Sequence, residues 1–144
     1  MKKIIFLFLF LFFVFLFFRL FSKSSFDEIE INGKRFQVEI SDTSDKRIKG
    51  LSNRESLDKG SGMLFVFEEP GIHRFWMKDM DFALDFIWIR ENKIVEITPN
   101  VLPVDYQPPN TISPKTEVDK VLEINAKEAE EFGLKIGDEI KPLF

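Results

Sequence analysis

The chain has 144 residues, with 20 Lys and Arg, 24 Asp and Glu, and no Cys. The absence of Cys excludes disulfides, thiolate nucleophiles and Cys-based zinc sites. Residues 22–144 hold 17 Lys and Arg and 24 Asp and Glu, a net charge of −7. This acidic balance argues against nucleic acid as a partner, because it repels phosphate.

The N-terminal segment is apolar and predicts membrane targeting. Residues 4–18 are fifteen consecutive apolar side chains, preceded by Lys2 and Lys3 and followed by Arg19. A helix of this length is short for a bilayer, but it becomes long enough when extended to residue 21, with the Arg side chain reaching the headgroups. We therefore expect residues 1–21 to form one hydrophobic helix that anchors the protein in a membrane.

Two fates of this leader remain open. As an uncleaved anchor, it would hold the following domain outside the cytoplasm. As a signal peptide cleaved near Ser24, it would release a secreted or periplasmic protein. In both cases residues 22–25 are a linker, and residues 26–144 are long enough for a single globular domain.

The first predicted elements of the domain are a β-hairpin and a short helix. Residues 26–31 and 35–40 alternate apolar and polar around Asn32-Gly33, a pair that accepts the positive φ values of a type I′ turn. Asp42 or Thr43 is the predicted cap of a helix over residues 44–51, with Ile48 and Leu51 pointing inward.

Two further hairpins are predicted from the central part of the chain. The first joins strands over residues 62–67 and 72–77 through a turn at 68–71, where Pro70-Gly71 is a turn signal. The second joins strands over residues 84–89 and 93–98. A long loop with five Pro then follows over residues 99–114.

The last predicted elements are a strand, a helix and a strand. The strand covers residues 118–124, Asn125 caps a helix that ends at Phe132, and Gly133 closes that helix. A turn then leads into a final strand at Ile140. The fold class predicted from these elements is α+β and mostly antiparallel β: a small barrel-like domain of about seven short strands and two short helices.

Several sequence blocks with consistent spacing run from about Phe36 to Ile140. They are Val38-Glu-Ile-Ser-Asp-Thr43, Gly50-Leu51, Arg54-Glu-Ser-Leu57, Gly62-Met-Leu-Phe65, Phe75-Trp-Met-Lys78, Leu84-Asp85, Ile94-Val-Glu-Ile97, Val121-Leu-Glu-Ile-Asn125 and Gly133-Leu-Lys-Ile-Gly-Asp138. Together they resemble the domain of unknown function 192 family. The resemblance implies a compact strand-rich domain, commonly preceded by an export signal, with no established reaction. Many members carry two Cys in the loop that here spans residues 103–109, so a function of those thiols is absent from this chain.

Residues 75–85 bring aromatic, cationic and acidic side chains together near a predicted strand end. Trp76 is suited to stacking on a planar ligand, Lys78 to holding an anionic group, and Asp79 and Asp85 to accepting hydrogen bonds from hydroxyl groups. These four are the predicted ligand-binding residues. In the alternative interpretation, Trp76 covers a sheet face and Lys78 pairs with a neighbouring carboxylate.

Catalytic chemistry has weaker support in the sequence. A hydrolase with paired carboxylates drawn from Asp79, Asp85 and Glu123 is the alternative function, although the sequence does not fix their separation. His73 is the only histidine, and it lies in a predicted strand, where a structural role is favoured. A pair of Lys78 with Ser52, Ser56 or Ser61 also stays open.

The sequence therefore predicts a membrane-anchored or exported binding module without catalytic residues. We expect no cofactor and no bound metal. The expected partners are the membrane, through the N-terminal helix, and a small polar ligand or a component of the cell envelope.

Overall fold

The computed structural model describes residues 27–143, and the predicted leader (1–21) and linker (22–25) lie outside this range. The described chain forms β1 (Asp27–Ile31), β2 (Lys34–Ser41), α1 (Ser44–Lys49), β3 (Ser61–Gly71), β4 (Leu84–Arg90), β5 (Lys93–Val101), a 3-10 turn (Pro103–Asp105), β6 (Val118–Asn125), α2 (Glu128–Glu131) and β7 (Ile140–Pro142). The predicted mostly-β composition is confirmed. No helix between residues 27 and 143 is long and apolar enough to cross a membrane.

The strands form one mixed sheet in the order β5-β4-β6-β3-β2-β1-β7. Neighbouring strands are antiparallel except β2 and β3, which run parallel and are joined through α1 and the loop after it. The sheet curls into a half-barrel. At one end its two edges meet, since Ile140 donates its N–H to the Asn92 carbonyl at 2.8 Å and Ile94 donates to the Asp138 carbonyl at 3.0 Å.

Two predicted hairpins are confirmed, and their turns have the expected backbone geometry. β1 and β2 meet at Asn32 and Gly33, whose φ angles are 51° and 72°. Both values lie in the left-handed region that Asn and Gly adopt most readily. β4 and β5 pair around Glu91, whose φ is 56°.

The predicted hairpin between residues 62–67 and 72–77 is wrong. β3 continues through the predicted turn to Gly71, and residues 72–77 contribute only one isolated bridge, between Phe75 and Ile112. The reason is the position of β3 in the sheet. Its two edges are already paired with β2 and β6, so it has no free edge for a hairpin partner.

Two helix details also differ from the prediction. α1 ends at Lys49, so Leu51 is buried from the following loop, whereas Ile48 is 62% exposed instead of pointing inward. Asn125 is the last residue of β6 rather than a helix cap. The residue before α2 is Lys127, which has a φ of 74° and makes no capping side-chain bond.

The sheet has an apolar core on each face. All seven described strands contribute to the core on the inner face, together with Ala129 of α2. The outer face carries a second core, in which Phe65, Phe86 and Trp88 of the sheet are covered by the loops around Leu51 and Met77. The candidate site lies on this outer face.

Candidate functional site

A cleft of about 270 Å³ opens on the outer face between α1 and residues 72–80. Phe65 of β3, Phe75 and Leu84 supply its apolar lining, and the polar residues include Arg47, Lys49, Arg74 and Glu123. A concave apolar surface with a few polar groups is typical of a small-molecule site. We call it the outer cleft.

One wall of the outer cleft is α1, which is fixed against β3. Thr43 caps the helix by accepting a hydrogen bond from the N–H of Lys46 at 3.4 Å. The Arg47 guanidinium donates to the Val66 carbonyl at 2.9 Å and lies 5.3 Å from the centre of the Phe67 ring. These contacts hold the cationic side chain along the apolar wall.

The opposite wall is the segment 72–80, held by the Pro-rich loop. Phe75 and Ile112 exchange two backbone hydrogen bonds of 2.8 Å, and Met77 donates its N–H to the Tyr106 carbonyl at 2.8 Å. Met77 is thereby buried, and Trp76 beside it is 43% exposed and lines the cleft. The predicted ligand-stacking residue thus stands at the edge of a cavity.

Glu123 reaches the outer cleft from the sheet and is only 4% exposed. It lies on β6, opposite Met63 of β3 and Phe86 of β4. Among residues 27–143, no group donates a hydrogen bond to its carboxyl, and burial raises its pKa to about 8, with Arg54 opposing the shift. At neutral pH this side chain is therefore mainly a protonated acid.

Arg54 does not neutralise Glu123, because it is already paired. Its guanidinium donates to both carboxylate oxygens of Glu39, at 2.6 and 2.8 Å. The hydrogen bonds from Arg54 lower the pKa of Glu39, as expected for a bidentate pair.

The four predicted ligand-binding residues are not brought together. Trp76 lines the outer cleft, whereas Lys78 and Asp79 follow it on the surface, outside the lining. Asp85 is fully buried, and its two oxygens accept the N–H groups of Asn100 at 2.8 Å and Ala129 at 2.9 Å. The carboxylate of Asp85 therefore joins β5 and α2 to β4.

The carboxylates of the alternative hydrolase do not share one open cleft. Asp85 pairs with Ile124, and its neighbour Phe86 pairs with Glu123, so Asp85 and Glu123 point to opposite faces of the sheet. Asp79 is exposed and does not line the outer cleft. This arrangement lacks the facing pair that glycoside hydrolysis requires.

His73 and Ser52, two other candidates from the sequence, make structural contacts. His73 stacks on Phe67 with the ring centres 3.5 Å apart, and burial lowers its pKa. Ser52 donates its hydroxyl to the backbone carbonyl of Lys78 at 2.7 Å, rather than meeting the amine. No group of three His, Asp or Glu side chains suited to a metal occurs between residues 27 and 143.

A second groove, of about 810 Å³, lies near the end of β2. Three of its cationic side chains already have acidic partners: Lys46 bonds Asp42 at 2.8 Å, Arg54 bonds Glu39, and Lys120 bonds Asp119 at 3.2 Å. Lys49 lines both cavities, whereas Arg74 lines only the outer cleft, and neither forms a salt bridge with any residue of 27–143. The outer cleft is thus the stronger candidate, because its charged groups are still available to a ligand.

Two residues of this site were named from the sequence, at its edge and on its floor, whereas its walls were not. Trp76 was identifiable as an aromatic residue beside charged ones, and Glu123 as an acid within an apolar strand. The contributions of α1 and Arg74 had no local signal, because the parallel pairing of β2 and β3 places α1 and the bonds of Phe75 to Ile112 place the segment of Arg74.

Two solved structures are similar to this fold. A candidate transcription regulator from Sinorhizobium meliloti 1021 has 26% identity and a TM-score of 0.75, with 83% of this chain and 95% of that one covered. A protein of unknown function from Novosphingobium aromaticivorans DSM 12444 has 28% identity and a TM-score of 0.73, with 79% and 83% covered.

No curated protein matches the chain significantly. The model of the family DUF192, described as "Uncharacterized ACR", matches residues 27–142. The match spans the whole sheet and confirms the resemblance found in the sequence. The chain belongs to the domain of unknown function 192 family.

Proposed function

We propose that this protein is a binding module, membrane-anchored or exported, that holds a small polar ligand in the outer cleft without catalysis. The observation that carries the proposal is a cavity with Trp76 exposed at its edge and the unpartnered carboxyl of Glu123 inside it, among residues 27–143. A ligand that bonds this carboxyl would supply the hydrogen-bond partner that residues 27–143 do not provide.

A binding role also agrees with the distribution of acidic groups. Asp85 holds backbone groups on the inner face, and Glu123 is the one acidic residue of 27–143 that lines the outer cleft. A single carboxyl can donate or accept one proton, but it does not form the acid and base pair of the alternative hydrolase.

Nucleic acid is not part of the proposed function. The description as a candidate transcription regulator belongs to the Sinorhizobium meliloti protein. In this chain the net charge of −7 over residues 22–144 repels a phosphate backbone. The proposed partners remain the membrane, through residues 1–21, and a small ligand or envelope component.

Trp76→Ala tests the proposal. Because Trp76 is half exposed, the melting temperature should stay within about 3 °C of the unchanged protein. The Kd of aromatic fragments, measured by ligand-observed NMR, should rise about tenfold or more, because the substitution removes the stacking surface.

The matched control is Ile72→Ala, since Ile72 is also an exposed apolar residue of this segment, at 48%, but does not line the cleft. It should leave fragment binding unchanged. If both variants lost fragment binding equally, Trp76 would have no specific role in binding. If Trp76→Ala alone lost its stability, Trp76 would be structural.

A further inference from the structure

Cationic side chains surround the opening of the outer cleft, and an acidic side chain lies on its floor. Arg47, Lys49 and Arg74 line it from both walls, and Lys49 and Arg74 form no salt bridge with any residue of 27–143. The acid that reaches the cavity is Glu123, at 4% exposure. The cleft is therefore cationic around its opening, within a domain that is acidic as a whole.

The lining between these groups is apolar and aromatic. Phe65 and Phe75 meet edge to face with ring centres 5.0 Å apart, and Trp76 and Met80 extend the apolar lining. A volume of about 270 Å³ accommodates a single ring with short substituents rather than a peptide or a sugar chain.

We infer that the ligand of the outer cleft is a small organic anion, with an apolar ring or chain against Phe65, Phe75 and Trp76 and its acidic group between Lys49 and Arg74. This inference rests on the proposed function and specifies its ligand class. Glu123 contributes a carboxylic acid that donates a hydrogen bond into the cavity. Only the protonated carboxyl has an O–H group to donate. The ionised carboxylate would also repel the anion.

This requirement makes binding depend on pH. Burial raises the pKa of Glu123 to about 8, so the acid is mainly neutral at pH 7 and ionised at pH 9. The ionisable groups that line the cleft or lie near Glu123 are Arg54 with its partner Glu39, Arg47, Lys49, His73 and Arg74. Burial lowers the pKa of His73, so this histidine stays neutral across the same interval.

Three probes with the same phenyl ring and different charge test the ligand class: benzoate, benzyl alcohol and benzylamine. The full chain in lipid nanodiscs, labelled at its methionine methyl groups, gives a direct readout, since Met77 and Met80 line the cleft. Met63 lies opposite Glu123 and lines the second groove, so a shift of its signal without a shift at Met77 or Met80 reports binding in that groove. Empty nanodiscs correct for partition of each probe into lipid.

At pH 7 benzoate should shift the Met77 and Met80 signals with a Kd about fivefold or more below that of benzyl alcohol, and benzylamine should bind more weakly still. At pH 9 benzoate should bind about fivefold more weakly than at pH 7. Glu123→Gln should remove this pH dependence, because the amide stays neutral. Arg74→Gln, an exposed change, should weaken benzoate and leave benzyl alcohol unchanged.

The outcomes separate the two proposals. If benzyl alcohol or benzylamine binds in the cleft as tightly as benzoate, the anion inference is wrong while the binding function stands. If benzoate binds equally at pH 7 and pH 9, the role of Glu123 is wrong. If no probe shifts Met77 or Met80, the binding function itself is contradicted.

Discussion

Three buried carboxyl groups in this domain receive different numbers of hydrogen bonds from the backbone. Asp85 receives two backbone N–H groups, and Glu128 receives one, from Gly60 at 3.0 Å. Glu123 receives none from residues 27–143. Burial raises the pKa of both glutamates, and in Glu128 the bond from Gly60 opposes the shift. The structural acids and the acid that we propose to face a ligand thus differ in their partners rather than in their burial.

Glu123→Gln should change the pH dependence of stability. The pKa of Glu123 is about 8 in the folded state, against 4.5 for a solvated glutamate, so the folded state binds more protons between these values. The free energy of unfolding therefore falls as pH rises through this window. At about 1.4 kcal/mol per pKa unit the loss is on the order of a few kcal/mol. Glu123→Gln should lack it.

Urea denaturation of residues 22–144 at pH 5, 7 and 9 measures this difference. The control is Glu55→Gln, a change at an exposed glutamate, which should follow the unchanged protein at each pH. If Glu123→Gln also loses stability in parallel with the unchanged protein, Glu123 is already ionised at neutral pH and the assignment fails.

Asp85→Ala should be among the most destabilising single changes in the domain. It removes both acceptors of the Asn100 and Ala129 N–H groups and leaves these donors unpaired. The expected loss in the free energy of unfolding is about 3 kcal/mol or more. Asp81→Ala, at an exposed position of the preceding loop, should change it by less than about 0.5 kcal/mol. A small effect at Asp85 would contradict its role as a support for β5 and α2.

At the level of elements, local sequence signals were sufficient for hairpins between strands that follow one another in the chain. Asn32-Gly33 specifies the β1–β2 turn through its own backbone preference, and the β4–β5 hairpin follows from alternation. The signal at Pro70-Gly71 was equally local but was overridden, because β3 extends to pair Gly71 with Val118. Sequence patterns do not state which strand edges are already occupied, and the walls of the outer cleft depend on that information.

Gly62→Ala tests the close contact between β3 and β6. A Cβ at Gly62 would lie 2.6 Å from the carbonyl oxygen of Glu123, a backbone atom that cannot move without shifting the strand. The expected loss is about 2 kcal/mol, and benzoate binding should weaken because the backbone of Glu123 is displaced. Both are measured by urea denaturation and by the methionine titration.

Gly71→Ala is the matched control in the same strand. Its Cβ would meet only the His73 ring, at 3.4 Å, and it should change stability by less than about 1 kcal/mol. If both substitutions lowered the free energy of unfolding equally, the close approach of β6 to Gly62 would not be what excludes a side chain there.

For the whole molecule, the sequence predicted the family, the mostly-β composition and a barrel-like shape, but not which residues close the sheet. The half-barrel is completed by bonds between distant residues, such as the Gly137 N–H and the Ile94 carbonyl at 2.8 Å. These contacts join the two sheet edges, which no short motif describes. The outer cleft lies on the far side of the sheet from the core that this curling encloses, so a ligand can reach it without opening the half-barrel.

Where this module acts depends on residues 1–21, which we propose to be an uncleaved anchor. The full chain should then sediment with membranes, resist extraction by salt, and retain Met1 in mass spectrometry. Replacing Leu11 and Phe12 by Arg should move the protein to the soluble fraction, because each charge at a helix centre opposes insertion by about 2.5 to 3.5 kcal/mol. Leu11→Val, which keeps the segment apolar, should remain with the membranes. A soluble product beginning at Ser25 would instead establish cleavage and release, and an intact soluble chain in the cytosol would contradict both fates.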